Sequence, residues 1–236
     1  MGEVVETAFE LDSPDEIVNP ATDLWVTIIA VLVVMLVITQ SSLVLEQERL
    51  EAIQTAQTAT IESASTVYDV APVQAGGKTW LLKLADGGEI HIVNDVTSQR
   101  FQFGDGLVFP FRSAELQQTG RDILDKFYLT IASHLDRIQE IRIEGHADCR
   151  LLRDINVTGD VNLKFAADRA MSVYNRLRDA GIDPKQNLMS ASSFGAEQPL
   201  SRKVGDPFPA DELNCETVSE DTHTKNRRIE VVLIYR

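Results

Sequence analysis

The spacing of apolar residues changes along the chain, and each change marks an element. Leu24 to Ile38 is an almost unbroken apolar run, interrupted only by Thr27. Asn19 suits a helix N-cap and Pro20 a first helical position, because the N–H that proline lacks would have no partner there. A helix from Pro20 to Leu45 is roughly 39 Å long at about 1.5 Å per residue, which crosses a hydrocarbon core of about 30 Å. The pattern therefore predicts a membrane helix over 19–45, with Asp23 about one turn inside its start. From Glu46 to Glu62 the large apolar residues thin to Leu50, Ile53 and Ile61 among Ala, Gln, Glu and Thr. Propensity allows a helix there, but the stripe is too sparse for a coiled coil. Residues 46–77 read as a connector, broken from Ser63 onward by Pro72 and Gly76-Gly77.

Beyond the connector the period shortens to two. Trp80, Leu82 and Leu84 alternate, Asp86-Gly87-Gly88 turns the chain, and Ile90 and Ile92 alternate again, which predicts a hairpin over 79–93. Arg100 to Phe103 adds a third strand and closes a small β segment over 78–104. Strands and helices then alternate. Leu107–Phe111 reads as a short strand, and Ile123, Phe127, Ile131 and Leu135 as a helical stripe. Ile141–Glu144 is a strand ending at Gly145. Phe165, Arg169, Val173 and Leu177 mark a second helix, which Gly181 is placed to end. Leu188–Phe194 and Arg228–Tyr235 complete an α+β domain with helices on one face of a sheet.

Charge narrows the function. The formal net charge is −14, which argues against nucleic acid, since a binder needs a basic stripe to displace counterions from phosphates. Residues 1–18 carry Glu3, Glu6, Glu10, Asp12, Asp15 and Glu16 and no Lys or Arg, and read as a solvated acidic tail. A secretory signal would need a basic stretch before the apolar run and a small-residue cleavage site behind it. Neither is present, so the run reads as an uncleaved anchor, while the charge rule that orients membrane helices has nothing to count in the tail. Cys149 and Cys215 are too few for a disulfide scaffold, but an oxidising compartment would let them form one bridge. His146 has no His or Cys at metal-ligand spacing, so no metal site is expected. Nothing pairs a nucleophile with a base, and no enzyme is expected.

Four blocks carry a resemblance: Phe109-Pro110-Phe111-Arg112-Ser113-Ala114-Glu115-Leu116, Gly145-His146-Ala147-Asp148, Asn162-Leu163-Lys164-Phe165-Ala166-Ala167-Asp168-Arg169-Ala170 and Asn226-Arg227-Arg228-Ile229-Glu230. In order and character they resemble the OmpA-like peptidoglycan-binding domain, which would occupy 105–236. Phe165, Ala166 and Ala147 depart from the usual Leu, Ser and Thr. The resemblance implies an OmpA-like mixed α/β sandwich after the membrane helix, and a pocket for the zwitterionic side chain of diaminopimelate. Asp148 would face the ammonium and Arg169 the carboxylate, because a guanidinium fork matches a carboxylate with two parallel hydrogen bonds. Asn162 and Phe165 would line the pocket. The alternative for Asp148 and Arg169 is a structural salt bridge. Asn226 and Arg228 divide between ligand contact and anchoring the last strand.

A tail, one span with an early Asp, a connector and an OmpA-like domain together resemble the B subunits of MotB-type stators. That family implies that Asp23 carries a transported H⁺ or Na⁺, with no other cofactor. Alone, Asp23 reads equally as a helix-dipole partner or as an intramembrane functional group. Thr27 would add an ion-path oxygen or else bond back to its own helix. The family further implies a homodimer, a multi-span A subunit of the ZorA or MotA kind around the helix, a cytoplasmic N-terminus, a periplasmic C-terminal domain and a bacterial inner-membrane location. In the periplasm the Cys149–Cys215 bridge is expected. Flagellar members usually have a basic tail and a longer chain, so the resemblance is to the Zorya anti-phage group (ZorB) before the flagellar one. A passive cell-wall tether is the rival of a different class.

Overall fold

The computed structural model describes residues 20–150, 161–203 and 205–236. The acidic tail, the Asn19 cap and most of the stretch between Asp148 and Asn162 lie outside the described residues. Two compact units divide the chain, Met1–Glu48 and Arg49–Arg236.

In the first unit the described residues belong to the helix α1, Pro20–Tyr68. Its apolar window has a mean hydropathy of 2.6 and none of it is buried. Among the described residues this is the one helix long and apolar enough to cross a membrane. Leu24, Trp25, Ile29 and Leu32 are all more than half exposed, so among the described residues this stretch packs against nothing else in the chain.

The second unit is built on a seven-stranded sheet of order β1-β2-β3-β4-β7-β5-β6. Its strands are β1 (Val73–Gly76), β2 (Thr79–Lys83), β3 (Glu89–Asn94), β4 (Ser98–Gly104), β5 (Ile138–His146), β6 (Leu188–Gly195) and β7 (Arg228–Tyr235). All neighbours pair antiparallel except β5 and β6. That parallel pair needs a crossover, which α4 (Val161–Ala180) supplies. The other α-helices among the described residues are α2 (Asp105–Val108), α3 (Gln118–Ala132) and α5 (Glu220–Asn226). The segment expected as a separate β element is thus continuous with the domain's main sheet, through the β4–β7 ladder.

Strand alternation sorts the side chains. Phe101 opposes Val231, Phe103 opposes Ile229, and Ile143 opposes Val231 from the other side. These residues are buried in one core with Phe127 and Ile131 of α3 and Val173 and Leu177 of α4. Phe127 meets Phe101 and Phe103 edge-on, at centroid separations of 5.0 and 5.7 Å. Gly145 is where β5 passes α4: a Cβ there would lie 2.1 Å from the Ala166 carbonyl oxygen. Only glycine permits that approach, and it sets the depth of α4 and so of Arg169.

Two local expectations differ from the structure. Residues 46–77 hold no break at Ser63. The helix continues to Tyr68 and buries Ile53, Ala56, Ile61, Ala64 and Tyr68 in the domain core. Asp69, in the left-handed region at φ 57°, ends it, with Val70 N–H donating to the Ser65 carbonyl at 3.1 Å. Leu107–Phe111 is not a strand: α2 covers Leu107 and Val108, and a turn follows. Four residues of helix are too few to show a period, so the apolar run there read as extended.

Candidate binding site

The four sequence blocks converge on one cleft of about 340 Å³, lined by Asp105, Phe111, Arg112, Asp148, Arg150, Arg169, Glu220 and Arg227. Three carboxylates face four guanidiniums in it.

Arg169 comes from the middle of α4 and is 2% exposed. Its Nε donates to the Ser113 carbonyl at 2.9 Å, and its Nη1 lies 2.6 Å from Asp105 Oδ1. Aromatic rings hold the guanidinium from two sides, Phe165 at 4.1 Å and Phe109 at 4.9 Å from its centre. Such contacts favour the flat, weakly hydrated cation of arginine over that of lysine. Burial pulls the Arg169 pKa below its usual value, against the opposing charge of Asp105. Burial also pushes Asp105 up, outweighing Arg169 and Arg227 beside it.

Asp148 follows the end of β5 and is likewise 2% exposed. Its Oδ1 accepts the Arg150 backbone N–H at 3.0 Å. Oδ2 accepts from Arg150 Nε and Nη2, both at 3.3 Å, and from Arg227 Nη1. Arg227 Nε also stands 3.7 Å from Asp105. Arg150 continues to Glu220, the first residue of α5. Cys149 is bonded to Cys215, with 5.9 Å between their Cα atoms. That disulfide, expected from the sequence, ties the end of β5 to the segment leading into α5. Arg112 adopts φ 56° at the rim, a region that bulky residues seldom occupy.

Asp148 and Arg169 therefore line the same cleft without pairing with each other among the described residues. Arg169 takes Asp105 as its carboxylate and Asp148 takes Arg227 and Arg150 as its cations. Both are deeply enclosed. Phe165 reaches the site by stacking on Arg169, while Asn162, two turns earlier, is buried with Oδ1 unpartnered among the described residues. Neither Asn226 nor Arg228 lines this cleft. Asn226 Nδ2 donates to Glu212 at 2.8 Å and its Oδ1 accepts the Leu200 N–H at 2.9 Å. Arg228 points to the other sheet face, where it binds Glu230 and the Gln198 carbonyl. Sequence reasoning missed Asp105, Arg150, Glu220 and Arg227. Arg227 lay inside a recognised block, and the other three carried no spacing signal.

On that other face Arg100 Nη1 donates to both Glu144, at 3.2 Å, and Glu230. His146 Nε2 is 3.9 Å from Glu230, and its ring stacks on Phe194 at 5.2 Å. Arginine already supplies the cation between these two carboxylates. Burial first, then the Arg228 charge, holds His146 down to about 3. Burial alone would raise Glu230, but Arg228, His146 and Arg100 outweigh it and bring it to about 2. In the membrane-length helix, Thr27 Oγ1 donates to the Asp23 carbonyl at 2.9 Å, and both side chains are exposed.

Residues 108–207 match the OmpA family. No curated protein matches the chain. Among solved structures, the periplasmic domain of Helicobacter pylori MotB superposes with a TM-score of 0.54 at 21% identity, over 68% of this chain and 88% of that one. A putative MotB-like protein from Desulfovibrio vulgaris gives 0.60 at 20% identity, over 81% and 99%. The chain carries an OmpA-like domain with the fold of MotB periplasmic domains.

Proposed function

We propose that this chain is the B subunit of an ion-driven stator complex, which grips peptidoglycan through the acid–base cleft and carries the transported ion on Asp23. One observation carries the reading: Asp148 and Arg169, drawn from two separate OmpA-like blocks, line one cleft. The cleft offers a zwitterion an anion and a cation, which diaminopimelate can satisfy where a simple anion or cation cannot. The OmpA match supports binding rather than catalysis.

The chain spans the inner membrane once, N-terminus cytoplasmic and OmpA-like domain periplasmic, as a homodimer within a ring of multi-span A subunits. Protonation of Asp23 removes its charge and release restores it. Each charge crossing is worth about 2.3 kcal/mol per 100 mV. The Thr27 hydroxyl is spent on its own helix, so the ion-carrying role rests on Asp23, and the proton is the simpler cargo. The disulfide suits an oxidising compartment. Residues 1–18, with six carboxylates and no Lys or Arg, favour Zorya-type anti-phage defence over flagellar motility.

The test compares wild type, Asp23→Asn and Arg169→Ala in cells carrying the neighbouring genes, scoring phage plating, swimming and co-sedimentation of the chain with peptidoglycan. Wild type should lower plating and leave swimming alone. Asp23→Asn should lose protection yet still sediment, and Arg169→Ala should lose both. Protection that survives Asp23→Asn would reduce the chain to a passive tether.

A further inference from the structure

Asp148, the residue assigned to a ligand's ammonium, already holds cations from its own chain, and they are unequal. Arg227 makes the closer contact and is braced behind by Asp105 at 3.7 Å. Arg150 makes two 3.3 Å contacts, longer than the roughly 2.7–2.9 Å typical of charge-assisted hydrogen bonds. Its side chain is 40% exposed where that of Asp148 is 2%, so the Arg150 guanidinium covers Asp148 on the solvent side. The backbone beneath it is pinned, by the Asp148 Oδ1 hydrogen bond and by the neighbouring disulfide at Cys149. Its tip already rests on a second anion, the 70% exposed Glu220, which both Nη1 and Nη2 contact, Nη2 at 2.9 Å. A fixed root, long contacts to Asp148 and closer ones to an exposed Glu220 describe a displaceable cover.

We propose that Arg150 is a built-in competitor for the ammonium that Asp148 receives, and so sets how tightly this cleft holds its ligand. The inference rests on the peptidoglycan reading above. A diaminopimelate ammonium entering the cleft takes the Arg150 position on Asp148, and Arg150 moves wholly onto Glu220. Only the fraction of molecules with Asp148 uncovered binds, so the observed affinity falls below the intrinsic one by that fraction. Arg227 stays in place and faces the ligand's carboxylate side together with Arg169. A purely structural Arg150 would work in the opposite sense, since its loss would loosen the cleft and weaken binding.

The experiment titrates the full chain, in detergent, with a purified diaminopimelate-containing muropeptide. Exposed ion pairs are worth up to about 1 kcal/mol, a few-fold in affinity. Arg150→Ala should therefore bind about twofold to fivefold tighter than wild type, and Arg150→Lys should fall between them. Glu220→Gln removes the alternative resting place and should weaken binding about twofold to threefold. Opposite signs at Arg150 and Glu220 are the signature. Unchanged or weaker binding by both Arg150→Ala and Arg150→Gln, while wild type binds and Arg169→Ala does not, overturns the competitor role and leaves the peptidoglycan reading intact. Wild type that binds no muropeptide overturns that reading itself, and the competitor role with it.

Discussion

Two charged clusters grow from the same two stretches of chain and end differently. Asp148 and Arg227 enter the cleft, whereas His146 and Arg228, two residues and one residue away, lie on the outer sheet face with Arg100, Glu144 and Glu230. In the cleft the outermost partners are exposed, Arg150 at 40% and Glu220 at 70%. On the sheet face Glu230 and His146 are each 1% exposed, and the solvent-side partners are arginines, Arg100 at 27% and Arg142 at 40%, around Glu144. Charge density thus does not distinguish a ligand site from a structural one. What distinguishes them is whether a partner can leave without stranding a buried charge.

The sharpest way to break that contrast is at Glu230. Removing one partner of a buried ion pair typically costs about 3–5 kcal/mol, because the remaining charge stays desolvated. Glu230→Ala strands Arg228 and takes one of the two carboxylates from Arg100. Urea unfolding should show a loss of about that size, while the folded fraction keeps wild-type affinity for muropeptide. A Glu230→Ala protein of normal stability that no longer binds would mean the outer face, not the cleft, is the ligand site.

A second effect appears with pH. His146 is held at about 3 against an ordinary 6.5, so between those values the unfolded chain binds the proton and the folded one does not. Stability should fall as pH drops below about 6.5. Glu230, held at about 2 against 4.5, adds its own loss only below about 4.5. The window from 6.5 to 4.5 therefore belongs to His146 and is worth about 2–3 kcal/mol. Burial raises Glu144, against Arg100, and raises Asp105; both favour the folded state on acidification and partly offset the loss. The measurement is a difference: His146→Gln should flatten the stability-against-pH slope in this window, and an unaltered slope would place the acid sensitivity elsewhere.

Much of this arrangement was legible in the sequence, for identifiable reasons. Phe101 and Phe103 announced a strand because alternation has a strict period, and Gly145-His146-Ala147-Asp148 announced a site because rare residue types stood in fixed order. The packed half of α1 was obscured by its composition. Between Ile53 and Ile61 the buried positions are filled by Ala56, Gln57 and Thr60, and a core stripe of small and polar residues resembles an exposed face. Gln57 is buried because its amide donates to the Asp95 and Ser98 carbonyls at 2.9 and 3.0 Å, which only the folded β3–β4 turn reveals. Arg150 and Glu220 were hidden by sequence distance. They lie 70 residues apart, and a loop-borne ion pair leaves no periodic trace.

The smallest expected effect settles Asn226, which the sequence left divided between ligand contact and anchor. Its amide is 5% exposed and spends itself on the 196–226 segment, donating to Glu212 and accepting from Leu200 N–H. Glu212 is buried too and takes the Ser201 hydroxyl as well, so Asn226 clips the first part and the middle of that segment to the start of β7. Truncating it to Ala leaves a buried carboxylate oxygen and a backbone N–H without their partner, a penalty of about 1–3 kcal/mol. Water entering from the exposed neighbours Asp211 and Leu213 relieves part of it, so the lower end, about 1–2 kcal/mol, is expected. Because the disulfide holds the same segment independently at Cys215, Glu220 should keep its place and muropeptide affinity should stay within about twofold of wild type. Adding reductant to Asn226→Ala removes the second clip. Affinity should then change in the double-released protein more than in either single case, whereas an early loss of binding with Asn226→Ala alone would make Asn226 a ligand contact and move the boundary between the two clusters one residue toward the sheet.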